Sequence, residues 1–115
     1  MSRITTKVNV RAENGDVVSQ ILLGKGEHLI GRDQNCDIHI DDDGVSRQHA
    51  KLTISDDAIE LEDLNSTSGT YLDGIAVKGR IPVKPGQKPH ISNLFLDIER
   101  EGYRELVKAA RLGEG

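Results

Sequence analysis

The sequence predicts an all-β fold, a β-sandwich or a barrel of about ten to eleven short strands, with a short C-terminal helix. Three observations predict it. Apolar residues recur with period two through most of the chain. Turn-forming pairs such as Asn14-Gly15, Asp73-Gly74 and Pro85-Gly86 cut the chain into segments of roughly ten residues. The apolar content is aliphatic: 36% of the 115 residues are hydrophobic and only 3% aromatic, with no Trp. That is enough for one modest core and one domain.

The elements follow in order. Ile4, Thr6, Val8, Val10 and Ala12 alternate with polar residues, and Asn14-Gly15 turns the chain into a second β-rich run, Val17 to Leu23. Gly24-Lys25-Gly26 interrupts it, and His28 to Arg32 is a short third run. Asp37 to Ile40 alternates briefly before the acidic loop Asp41-Asp42-Asp43-Gly44. Ala50 to Ile54 and Ile59 to Leu64 form a pair around the turn Ser55-Asp56-Asp57. A loop of small polar residues, Asn65 to Gly69, leads to Tyr71-Leu72 and a second hairpin signal at Asp73-Gly74. Weak strands around Ile75, Val77, Ile81 and Val83 precede a segment punctuated by Pro85 and Pro89, and Leu94, Leu96 and Ile98 close the β region.

The period then changes. Tyr103, Leu106, Val107 and Ala110 form the stripe of an amphipathic helix, with Gly113 as its stop. Residues 1–100 are read as the domain. Residues 101–115 are read as a helix docked on the sandwich edge or as a linker to a downstream domain. The glycines of Leu112-Gly113-Glu114-Gly115 leave open the start of a kinase-type glycine-rich loop.

Composition narrows the function. With 15 Lys and Arg against 19 Asp and Glu, the formal charge is −4, the wrong sign for a nucleic-acid binder. No apolar run reaches membrane-spanning length, no signal-peptide core precedes Val10, and the single Cys36 forms no internal disulfide. A cytoplasmic protein is expected, with no membrane and no cofactor.

Three segments carry the chemistry: Gly31-Arg32, Ser46-Arg47-Gln48-His49, and Asp63-Leu64-Asn65-Ser66-Thr67-Ser68-Gly69-Thr70, which runs on into Tyr71-Leu72-Asp73-Gly74. Loops of a sandwich gather at its ends, so two guanidinium groups and several hydroxyls are expected to converge on one cationic cup. The three blocks, in this order and spacing, resemble the forkhead-associated (FHA) domain over roughly residues 4 to 99. That family is an FHA/SMAD-like β-sandwich that binds phosphothreonine peptides.

The resemblance implies a role for each matching position. Arg32 matches the arginine that grips the phosphate, a task suited to its planar fork of donors. Ser46 matches a serine that donates to a phosphate oxygen, Thr67 a hydroxyl or backbone contact to the phosphate, and Arg47 a polar or basic contact to the phosphoresidue or peptide. His49 matches a histidine that braces loops. Gly31, Gly69 and Thr70 match scaffold positions, the glycines being expected to supply permissive backbone geometry. Ser68 stands where relatives carry an asparagine that pairs with the peptide main chain, so weaker peptide affinity is expected. Gly44 lies where relatives often read the third residue after the phosphothreonine.

Other chemistries fit poorly. Ser46 and His49 are three positions apart, on opposite faces of a strand, and no nucleophile elbow is present. Cys36, His39 and His49 lack the paired spacing of a zinc site. A calcium loop built on Asp41 to Gly44 would place Ala50 where a bidentate Glu must stand. The expected function is phosphothreonine-dependent recognition of a partner protein in Ser/Thr kinase signalling, without catalysis. The alternatives are a phosphate-independent interaction scaffold and the regulatory segment of a larger protein such as a kinase.

Overall fold

A computed structural model describes residues 5–100. Eleven strands among these residues form two packed sheets. They are β1 (Thr6–Ala12), β2 (Val17–Leu23), β3 (Gly26–Gly31), β4 (Ile38–His39), β5 (Ala50–Ile54), β6 (Ile59–Asp63), β7 (Thr70–Leu72), β8 (Ile75–Ala76), β9 (Arg80–Pro82), β10 (Pro89–Ile91) and β11 (Leu94–Arg100). One sheet runs β2-β1-β11-β10-β7-β8 and the other β4-β3-β5-β6-β9. All pairs are antiparallel except β3 with β4. Of the sandwich and the barrel that the period allows, the sandwich is what forms, as the family resemblance implies. The amphipathic C-terminal stripe and Ile4 lie outside the described residues.

Alternation decides which way each strand faces. Val8 and Val10 of β1 are buried, while Lys7 and Arg11 face outward to pair with Glu99 at 3.7 Å and Asp97 at 3.0 Å on β11. Leu52 and Ile54 of β5, Ile59 and Leu61 of β6, Ile91 of β10 and Leu96 of β11 meet them in the aliphatic core. Each such burial is worth about 1.5–3 kcal/mol.

The hairpin signals hold for a physical reason. Asp73 and Gly74 both have positive φ, 52° and 80°, and they join Leu72 to its partner Ile75. Such a two-residue turn matches the right-handed twist of the strands. At Asn14-Gly15 the Asn14 side chain accepts the Asp16 amide proton at 3.0 Å, and Gly15 sits at φ 95°.

The prolines were legible only in part. Pro89 is not punctuation but the first residue of β10, paired with Leu72. Proline is tolerated at the start of a strand, and Ile91, two residues on, is fully buried. Pro82 closes β9 at the edge of its sheet, the other place where a missing N–H does little harm.

Register places the three motif loops together. Ile30 pairs with Ala50 and Ala50 with Asp63. The end of β3, the start of β5 and the end of β6 therefore share one rim. The loops leaving it carry Arg32, Ser46 and Thr67.

Candidate functional site

The Arg32 loop and the Ser46 loop are zipped together by main chain. Arg32 N–H donates to Ser46 O at 2.9 Å and Asp33 N–H to Arg47 O at 3.1 Å. The Arg32 guanidinium is anchored in turn, its Nε donating to Val45 O at 3.1 Å, which leaves its terminal nitrogens for another partner. Gly31 is what lets the loops close. A Cβ there would lie 2.0 Å from Arg47 O. The sequence-based expectation of permissive geometry is corrected here: Gly31 has no positive φ and is needed for close approach. Gly69, at φ 88°, does use glycine's conformational freedom.

His49 is fully buried and joins the second loop to the third. Its Nδ1 accepts the Ser46 amide proton at 3.0 Å. The proton therefore resides on Nε2, which donates to Gly69 O at 2.8 Å. Both ring nitrogens are committed to main-chain groups, so the imidazole does not stand as a base on the Ser46 hydroxyl. That hydroxyl instead accepts the Thr67 amide proton at 3.0 Å, and it donates to no group among the described residues. Thr67 is exposed with its amide committed, so its hydroxyl is the group it presents. Ser68 Oγ donates to Gly44 O at 2.6 Å. Having given up its proton, it can only accept from a peptide.

The third loop has an organiser that the sequence reading did not single out. The Asp63 carboxylate accepts the Ser66 hydroxyl at 2.6 Å, the Thr70 hydroxyl at 2.7 Å and the Ser66 amide at 3.1 Å. Ser66 Oγ then accepts the Gly69 amide at 2.9 Å. Burial pushes the Asp63 carboxyl upward, but the hydrogen bonds from Ser66 and Thr70 outweigh it and hold it below its usual value. The spacing Asp63 to Ser66 was the available signal, since an Asp three residues before a Ser is a common local turn closure. Asn65, at φ 57°, supplies the left-handed residue such a loop needs.

Arg32 and Arg47 both line an open cleft of about 440 Å³, together with Asp33, Gln34, His39 and Asp41. Among the described residues neither guanidinium is in an ion pair. Ser46, Thr67 and Ser68 are not among the cleft's walls. Ser46 is tied to the cleft's Arg32 by the main-chain bond, Thr67 in turn to Ser46 and Ser68 to Gly44. Cys36 is buried behind Arg47, with Sγ 3.3 Å from Arg47 O. Burial, then the charges of Asp33 and Asp37, push its thiol upward, so it stays protonated and unreactive. Among the described residues no group of three or more His, Cys, Asp or Glu could hold a metal ion.

A family model for the FHA domain matches residues 28–91. The chain belongs to the FHA family. It is similar to an FHA domain-containing protein of Mycolicibacterium smegmatis, FhaB, at 34% identity over 80 residues, which is 70% of this chain and 52% of that protein. The chain thus spans about half the length of the curated relatives it matches. Among solved structures, the FHA domain of CT664 from Chlamydia trachomatis superposes with a TM-score of 0.73 at 27% identity, covering 82% of this chain and 95% of that one. An FHA domain solved in a structural and functional analysis of phosphothreonine-dependent FHA interactions superposes with a TM-score of 0.70 at 26% identity, over 81% and 95% of the two chains. FHA domains are phosphopeptide-recognition modules rather than enzymes. No described helix is long and apolar enough to cross a membrane.

Proposed function

We propose that this FHA domain recognises phosphothreonine-containing segments of partner proteins. Arg32 and Arg47 contact the phosphate from the cleft, Ser46 and Thr67 donate their hydroxyl protons to it, and Ser68 accepts from the peptide main chain. Gly31, His49, Gly69 and Thr70 hold the loops. The observation that carries this reading is that the two guanidiniums of Arg32 and Arg47 line one open cleft with no ion pair among the described residues. An unpaired guanidinium pair on a rigid rim is a ready dianion site. The similarity to a domain studied for phosphothreonine-dependent interactions supports it.

A phosphothreonine brings about −1.5 to −2 charges at neutral pH. Each charge-assisted hydrogen bond contributes about 1.5–3 kcal/mol. Three or four of them, less the cost of ordering an extended peptide, correspond to binding near micromolar, about −8 kcal/mol. The module performs no reaction of its own and acts in the cytoplasm. Residues 1–100 are assigned to the recognition domain, and residues 101–115 lie outside the described residues.

The experiment is titration of the full chain with a degenerate phosphothreonine peptide library, its phosphoserine counterpart and the unphosphorylated set. Saturable binding that requires the phosphate is expected. Equal binding of the unphosphorylated set would replace this reading with a phosphate-independent scaffold.

A further inference from the structure

The cleft is not uniformly cationic. Its walls carry Arg32 and Arg47, but also Asp33 and Asp41, together with the uncharged Gln34 and the imidazole of His39. These opposite charges do not neutralise one another: no ion pair within 4.0 Å joins either arginine to either aspartate. Nor are the carboxylates equally occupied. Asp33 accepts the Asn35 amide proton at 2.9 Å, and Asp41 is exposed with no hydrogen-bond partner among the described residues. Nearby Asp42 is committed to the Gly44 amide at 2.8 Å and the Ser92 hydroxyl at 3.2 Å. Asp37 is committed to the Leu29 amide at 3.1 Å. Asp41 is thus the uncommitted carboxylate in the cleft, facing the same space as the two arginines.

A ligand of one sign meets repulsion in such a cleft. A bare dianion attracted by the arginines is opposed by the two aspartates that line the same cleft, an opposition that salt screens over a Debye length of about 8 Å at physiological strength. A ligand carrying an anion and a cation side by side satisfies both walls, which is how interfaces obtain specificity from charge placement. We propose that the cleft selects phosphothreonine segments bearing Lys or Arg within two residues of the phosphate, with Asp41, assisted by Asp33, receiving the cation. The inference rests on the proposed phosphate role of Arg32 and Arg47, and it makes Asp41 a specificity determinant of the same site.

The test uses the full chain and phosphothreonine peptides identical except for Lys, Ala or Glu at one of the two positions on either side of the phosphoresidue, with unphosphorylated controls. Affinities are measured by fluorescence anisotropy at low and at physiological salt. At one or more positions the order Lys, Ala, Glu is expected, with Lys about five- to tenfold tighter than Glu and the ratio shrinking as salt rises. The ratio should fall to near unity in the Asp33→Asn/Asp41→Asn double variant, whose folding is checked by its circular dichroism and thermal midpoint. Phosphate-dependent binding with equal Lys and Glu affinities would overturn the inference and leave the phosphothreonine reading standing. A Lys preference that survives in the folded double variant would overturn it as well. Absence of phosphate-dependent binding would overturn both.

Discussion

The Ser46 hydroxyl accepts the amide proton of Thr67 across 3.0 Å, joining two loops that lie 21 residues apart in the chain. Ser46 Oγ is used here as an acceptor, and among the described residues neither the Ser46 nor the Thr67 hydroxyl donates a hydrogen bond. Two hydroxyl donors on joined loops are thereby left unconsumed. Around this bond stand the Arg32 anchor on Val45 and the His49 bridge from Ser46 to Gly69.

Arg32→Ala should weaken phosphopeptide binding by about 2–4 kcal/mol, because it removes a charged fork and leaves the phosphate facing Asp33 and Asp41. The side chain is exposed, so stability should change by less than about 1 kcal/mol. Calorimetric titration beside thermal unfolding separates the two effects. Unaltered affinity in the variant would remove Arg32 from the site.

His49→Ala should do the reverse and strike stability first. It empties a fully buried position and strands the Ser46 amide and the Gly69 carbonyl. A cost of about 2–4 kcal/mol is expected, a fall in melting temperature of more than about 8 °C for a domain of this size. A variant as stable as the parent would show that the loops are held by other means.

Gly31→Ala should be more damaging than its size implies. The added methyl would sit 2.0 Å from the Arg47 carbonyl oxygen, a clash with backbone that only a shift of the Ser46–Arg47 segment relieves. Loss of about 2–4 kcal/mol in stability and weakened phosphopeptide binding are expected together. Gly24→Ala is the control, since its added carbon meets nothing within 4 Å. Equal melting temperatures for the two variants would contradict the close-approach account.

Asp63 gives the fold an acid limb. Its carboxyl is held below the ordinary value of 3.8 in the folded state, so the unfolded chain binds the proton more readily. The stabilisation is complete above the unfolded carboxyl's range and is lost as pH falls through that range toward the lower folded value. Asp63→Asn should therefore be less stable than the parent at pH 7, with the gap closing as pH drops below about 4. Denaturant midpoints taken between pH 7 and pH 3 measure this. A gap constant across that range would show that the Asp63 charge contributes nothing.

The hairpins, the sandwich and the three motif loops were legible because they rest on local rules. Alternation tells a strand which face to bury, and Asp73-Gly74 carries the backbone freedom its turn requires. Less legible were features that depend on a distant neighbour. Pro89 looks like a strand breaker until Leu72 lies beside it. The spacing of Asp63 and Ser66 was visible, but its importance shows only when Thr70 and Gly69 close the same network.

The amino-acid order alone determined that this chain is an all-β aliphatic fold carrying three polar loops whose motifs resemble the FHA sandwich, since period, turn chemistry and motif spacing are properties of neighbours along the chain. Tertiary structure decided which polar groups remain free once the loops meet. It committed the Ser68 proton to Gly44, assigned Gly31 to a close contact, and set Asp41 in one cleft with Arg32 and Arg47. A hydrogen bond or a shared cleft is fixed by distance in space, and residues far apart in sequence acquire that distance only when the sheets pack.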